Sequence, residues 1–111
     1  MQLLDVESAL FTVLPTKTWH LLPPPDTPGN YIVWGEDGQS DALHGDGKMI
    51  NQVIQGTIDY FTKTEYDPVK DQIQAALNNA GIGFRLNSTQ YETDTGYIHY
   101  EWVFDIPMGV G

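Results

Sequence analysis

Apolar and polar residues alternate most clearly between residues 51 and 62. Side chains of a β-strand point alternately to opposite faces, so this pattern predicts a strand with one buried and one wet face. A second alternating run follows the turn sequence "TDTG" and predicts the last strand of a closing pair. The residues predicted to point inward are Ile54, Ile58 and Tyr60 in the first run and Ile98, Tyr100, Trp102, Phe104 and Ile106 in the second; those predicted to point outward are Gln55, Thr57, Asp59, Tyr97, His99, Glu101 and Asp105.

The helical pattern is strongest near residues 68 to 80. Asp67 is a favourable N-cap residue, Pro68 suits the first helical position, and Gly81 suits the residue after the end of a helix. The apolar stripe of this predicted helix consists of Val69, Ile73, Ala76, Leu77 and Ala80.

The first third of the chain predicts one helix and two strands. A helical pattern near residues 2 to 14 stops at Pro15. Two apolar runs follow, Trp19 to Leu22 and Tyr31 to Gly35, on either side of a proline-rich segment. They predict either a hairpin-like pair or two strands joined by a long polyproline connection.

The segment of residues 36 to 49 is predicted to be a flexible acidic loop, because it is rich in glycine and aspartate. We expect it to be mobile in an isolated subunit and ordered by contact with a partner. The elements then follow in the order α-β-β-β-α-β-β. This order favours a single α+β domain over residues 1 to 111, with a mainly antiparallel sheet of about five strands and two helices packed on it. The predicted core comprises Leu3, Leu10, Val13, Ile58, Tyr60, Ile73, Leu77, Tyr100, Trp102 and Phe104.

Charge and composition exclude several function classes. Fifteen acidic and five basic residues give a formal net charge of −10, which repels nucleic-acid phosphates and anionic lipid head groups. We therefore expect neither sequence-specific nucleic-acid binding nor a membrane partner. No apolar run is long enough for a membrane span and no secretory signal is visible, so synthesis in a cytosol is expected. The chain has no cysteine, which rules out disulfides and thiolate chemistry.

Catalytic motifs are not found in the sequence, and neither an enzyme nor a cofactor is expected. His20, His44 and His99 lie in three different predicted elements, and His99 is expected on the outer face of the last strand. The acidic segment offers hard oxygen ligands, but their spacing does not match a calcium-binding loop, so a solvated loop is the favoured interpretation. These weak metal candidates are Glu36, Asp37, Asp41 and Asp46.

The segment "QGTIDYFTKTEYDPVKDQIQAAL", followed by a turn and by "FRLNSTQYETDTGYIHYEWVFDI", resembles the tail completion or tail terminator proteins of long-tailed bacteriophages and prophages. The resemblance extends over roughly residues 2 to 106. It implies a small α+β protein that forms a ring, commonly of six subunits, at the head-proximal end of the tail tube. Such a ring stops tube polymerisation and meets the head connector, so the implied location is the virion, after synthesis in the host bacterial cytoplasm. The residues expected to contact neighbouring subunits or partners are Asp41, His44, Lys48 and Arg85.

Three alternatives remain open at this stage. The first alternative is a neck adaptor or minor capsid protein between portal and tail. The second alternative is a small-molecule or peptide-binding module, in which Trp19, Tyr31 and Trp34 form an apolar platform. The third is a metal-dependent enzyme built on residues 36 to 46 with His44.

Overall fold

The computed structural model describes the backbone of residues 1–45 and 48–108, and the side chains of residues 1–37 and 53–107. Within these ranges the chain forms an α+β fold with two helices and a five-stranded sheet, which confirms the predicted fold class and element order. Among the described residues, no helix is long and apolar enough to cross a membrane. The elements are α1 (Leu3–Phe11), β1 (Thr18–His20), β2 (Tyr31–Gly45), β3 (Lys48–Thr62), α2 (Pro68–Asn79), β4 (Gly83–Glu92) and β5 (Tyr97–Met108).

The strands lie in the order β1-β2-β3-β5-β4, and every neighbouring pair is antiparallel except β1 and β2. Because β1 and β2 are parallel, the hairpin-like alternative for this pair is wrong, and the alternative with a long connection is correct. A parallel neighbour requires the chain to return to the end of the sheet from which it started. The proline-rich segment between His20 and Tyr31 makes this return.

The predicted loop of residues 36 to 49 is strand over its described backbone. β2 continues through this segment to Gly45, and β3 begins at Lys48; Asp46 lies outside the described residues. Glycine and aspartate have low strand propensity, but pairing with the neighbouring strand overrides that preference. The pairing of this segment is irregular, with three shifts in the β2–β3 register, the first of them between Glu36 and Gly38.

Both helices pack on one face of the sheet and enclose the core there. Eight of the ten predicted core residues belong to this buried cluster, and the partly buried Leu3 and Val13 pack against it. Val13 lies beyond α1 because the helix ends at Phe11, earlier than predicted. The Thr12 hydroxyl donates to the carbonyl oxygen of Ala9 at 2.6 Å and closes the last turn. The buried members that were not predicted include Val6, Ile32, Trp34 and Ile82.

Gly56 lets β2, β3 and β5 come together at the centre of the sheet. A Cβ atom at this position would lie 2.3 Å from the carbonyl oxygen of Gly35 and 2.5 Å from the ring of Phe104. Neither group can move away, because one is backbone and the other is a fully buried side chain. Phe104 therefore lies directly over the glycine backbone.

The Asp67 carboxylate connects the end of β3 to the start of α2. Its Oδ1 accepts a hydrogen bond from the Val69 amide at 2.9 Å and so caps α2, as predicted. Its Oδ2 accepts from the hydroxyls of Tyr60 and Thr62, both at 2.6 Å. The Tyr60 hydroxyl in turn accepts a hydrogen bond from the Asn30 side chain at 2.8 Å. The segment just before β2 is therefore part of the same hydrogen-bond network.

Burial would raise the pKa of the Asp67 carboxyl, but the hydrogen bonds from Thr62, Tyr60 and Val69 outweigh it, and the net pKa is lowered. Burial and the hydrogen bond to Asp67 raise the pKa of Tyr60 to about 12. Tyr60 therefore remains a hydrogen-bond donor to Asp67 throughout the neutral range.

We predict that Asp67→Ala lowers the free energy of unfolding by about 2–4 kcal/mol, because it removes a helix cap and leaves two hydroxyl donors without their charged acceptor. Since the folded-state pKa of Asp67 is lowered, the wild-type stabilisation is present above the ordinary carboxyl pKa and is lost as the pH falls through the folded-state pKa. Urea unfolding at a series of pH values checks both effects.

The control for this measurement is Asp71→Asn, which removes an exposed acidic side chain from the first turn of the same helix. We expect it to change stability by less than about 0.5 kcal/mol. An Asp67→Ala variant that is as stable as this control contradicts the role assigned to the network.

Candidate functional site

The face of the sheet opposite the helices is lined mainly by side chains that are only partly buried, and we call it the open face. Residues that lie opposite each other on paired strands point to the same face of the sheet. The register of the five strands therefore determines which residues lie on the open face. No helix in the described part of the chain packs on it. Its main members are Trp19, Tyr31, Val33, Thr57, Asp59, Phe61, Arg85, Tyr97, His99, Glu101 and Val103.

Aromatic rings cross the open face as a continuous ladder. Tyr31 stacks on Phe61 with ring centroids 4.7 Å apart, and Phe61 stacks on His99 at 4.3 Å. Trp19 meets Tyr31 edge-on at 6.3 Å, and Tyr97 meets both Tyr31 and Phe61 edge-on. All of these contacts except Tyr31–Tyr97, which reaches across β3, join neighbouring strands. Such aromatic pairs contribute about 0.5–1.5 kcal/mol beyond their buried area. The ladder therefore stiffens a face on which neither described helix packs.

Asp59, His99 and Glu101 converge beside this ladder, and we call them the Asp-His-Glu cluster. One ligand atom from each residue lies within 4.8 Å of the others. The His99 Nε2 atom is 2.7 Å from Asp59 Oδ1, and the hydrogen bond to Asp59 raises the pKa of His99 despite partial burial. Glu101 Oε1 accepts from the Asn87 side chain at 2.7 Å.

The strands explain why these groups meet. Asp59 lies directly opposite Glu101 in the β3–β5 register and diagonally from His99, which is two residues before Glu101 on the same face. Asn87 occupies the register irregularity of β4 between Leu86 and Ser88, and its side chain reaches Glu101. The cluster borders a surface depression of about 490 Å³. Chemically it offers one imidazole nitrogen and two carboxylates at an accessible site.

The predicted metal candidates have other surroundings where the structure describes them. Glu36 Oε1 lies 2.6 Å from His20 Nε2, and the pKa of Glu36 is lowered by a backbone hydrogen bond and by His20. Asp37 is exposed at the end of the described side chains. The side chain of Asp41 lies outside the described ranges, and so does all of Asp46.

The predicted contact residues are placed only in part. Arg85 is exposed on the open face opposite Val103. The side chains of His44 and Lys48 lie outside the described ranges, although their backbones belong to β2 and β3.

The three aromatic residues suggested as a binding platform do not share one surface. Trp19 and Tyr31 are on the open face, whereas Trp34 is 3% exposed and packs among the core residues on the helix side. Strand alternation separates them, because Tyr31 and Trp34 are three positions apart on the same strand.

Sequence reasoning placed Asp59, His99 and Glu101 on outer faces but did not bring them together. The available signal was the i, i+2 spacing of His99 and Glu101 on one strand. The missing information was the β3–β5 register, which sets an acidic residue from a distant strand beside that pair.

Comparison with known proteins identifies a chain of similar fold. No protein-family model and no curated protein sequence matches the chain. The fold is similar to that of a chain in a solved structure of the virion of a native gene transfer agent particle, with a TM-score of 0.61 and 18% sequence identity. The likeness covers 92% of this chain and 90% of that chain. At this identity the two chains share a fold over nearly their whole lengths.

We predict that Asp59→Asn lowers the pKa of His99 in metal-free protein, because the hydrogen bond to the Asp59 carboxylate is the main cause that raises it. An NMR titration of the imidazole protons measures this pKa directly. Glu92→Gln is the control, since Glu92 acts on His99 only through a weaker Coulombic interaction. An equal decrease in both variants contradicts the geometry of the pair.

Proposed function

We propose that this chain is a structural protein of a phage-derived particle, which assembles as a ring that caps the tail tube and forms the head-tail joining surface. The observation that carries this proposal is the fold shared with a gene transfer agent virion chain over 92% of this chain and 90% of that one. The resemblance of the sequence to tail completion proteins adds the specific position. A ring subunit of this kind has the tail tube protein and the head connector protein as partners.

The two edges of the sheet support contacts between copies of the chain. β1 and β4 lie at opposite edges, and β1 covers only three residues of β2, from Ile32 to Trp34. An edge strand presents backbone donors and acceptors that another chain can pair with. When opposite edges of identical subunits meet, the contact is head-to-tail, and such contacts close into a ring if the rotation per subunit permits it.

Exposed apolar side chains mark both edges. Leu22, just after β1, is 80% exposed, and Tyr91 on β4 is 66% exposed. Leu21 and Leu86 are also exposed near these two edges. Large apolar residues at the surface are typical of protein contacts, and burying them in a head-to-tail contact removes them from water.

The net charge sets a condition on assembly. Subunits with a formal charge of −10 repel one another at low ionic strength. Salt shortens the range of this repulsion to about 8 Å at physiological ionic strength, so association should strengthen as monovalent salt is added.

We predict that the purified chain associates into a closed ring as sodium chloride is raised, and that Leu22→Ser or Tyr91→Ser weakens each contact about tenfold through lost apolar burial. Sedimentation velocity and native mass spectrometry give the stoichiometry and the dissociation constant. The matched control is Tyr66→Asn, which removes an exposed tyrosine from the β3–α2 connection and suits its positive φ. A chain that stays monomeric at every salt concentration contradicts the ring.

We also predict that deleting the gene from an inducible prophage that carries it gives filled heads and free tails of abnormal length that do not join. Electron microscopy of the lysate, with a plasmid copy of the wild-type gene as control, checks this outcome. Normal infectious particles from the deletion contradict a tail role. Tails of normal length beside heads with a bare portal favour the neck adaptor instead.

A further inference from the structure

We propose that Asp59, His99 and Glu101 form a binding site for a divalent transition metal ion, best represented by Zn²⁺, on the open face of the sheet. The proposal is independent of the ring and of its partners. It rests on the arrangement of the three side chains, on the charge they bring together and on their access to solvent.

The charge of the cluster favours a cation. Asp59 and Glu101 are directly opposite each other on antiparallel strands, an arrangement that is destabilising for like charges. His99 makes its close contact with Asp59, whereas Glu101 accepts a hydrogen bond from the uncharged Asn87 side chain. A protonated imidazole compensates one of the two carboxylates, and a divalent ion between all three ligands compensates both.

The geometry needs only side-chain rotation to hold a metal ion. Zn–N and Zn–O bonds of about 2.0–2.2 Å in a tetrahedral site place ligand atoms about 3.4 Å apart. The three ligand atoms already lie within 4.8 Å of one another, while the His99–Asp59 pair has to open from 2.7 Å as the metal replaces the shared proton. Both side chains are about one-fifth exposed, so neither is fully enclosed by its neighbours.

The type of ligand selects the metal. Imidazole nitrogen with carboxylate oxygen suits Zn²⁺ and its transition-metal neighbours, whereas Mg²⁺ and Ca²⁺ prefer oxygen ligands alone. Three protein ligands leave a fourth tetrahedral position for water. All three residues line the same depression as Pro23, so a metal ion can reach them from solvent. The Asn87 hydrogen bond orients the Glu101 carboxylate, as is usual for groups that support a metal ligand.

The test is isothermal titration of EDTA-treated protein, with any affinity tag removed, using Zn²⁺ and separately Mg²⁺ and Ca²⁺. We expect one Zn²⁺ per chain at this site and far weaker binding of the other two ions. His99→Gln, Asp59→Asn and Glu101→Gln should each weaken Zn²⁺ binding about 100-fold or more, and Asn87→Ala about tenfold. Titration with Co²⁺ adds a visible absorption band that reports tetrahedral ligation and disappears in the ligand variants.

Two controls separate the site from general acidity. His20→Gln removes the histidine of the other histidine–carboxylate pair, and Asp105→Asn removes an exposed acidic residue further along β5. Both should bind Zn²⁺ like the wild type, and far-ultraviolet circular dichroism verifies that every variant is folded. Zn²⁺ binding that is equal in wild type and His99→Gln, or that is lost in His20→Gln, overturns the proposal.

Discussion

The Asp67 carboxylate is the contact on which the relative placement of helix and sheet depends. One oxygen caps α2, and the other accepts hydrogen bonds from Tyr60 and Thr62 at the end of β3. A buried carboxylate is costly unless its acceptor positions are filled, and here both oxygens have donors. The helix can therefore begin at only one place relative to the strand. This placement brings Ile73 and Leu77 onto the inner face of the sheet, where the core forms.

Placing both helices on one side leaves the other side of the sheet to its own cross-strand contacts. Stacked rings from Tyr31, Phe61 and His99 join three strands there, and the Asp-His-Glu cluster lies next to them. Antiparallel sheets commonly expose one face to water, and such faces are usually polar. The aromatic content of this one fits a protein that functions by contact, in agreement with the proposed role in a particle. The same exposure makes the cluster accessible to a metal ion.

How much could be predicted depended on whether the signal was local. The Asp67-Pro68 cap and the alternation of β3 and β5 depend on residues that are close together in the sequence. The bounds of α2, β3 and β5 were therefore predicted to within a few residues. Residues 36 to 45 read as a loop because their strand structure comes from pairing with β3, which no local pattern reports. The direction of β1 depends on how the chain crosses between Pro23 and Gly29. The Asp-His-Glu cluster required a register between strands forty residues apart, and pattern alone does not give one.

The strand order also has a consequence for how the chain folds. β2–β3 and β4–β5 are pairs of consecutive strands, each of which can form from local contacts. The β3–β5 pairing joins them, and it must close a loop that contains α2 and β4 before Thr62 reaches Ile98. Closing such a loop costs entropy before any contact repays it, so non-local strand pairing is the slow step in sheets of this kind. Ile58 and Trp102 face each other across this central seam. We therefore expect their contact to influence the rate of folding as well as the stability of the folded state.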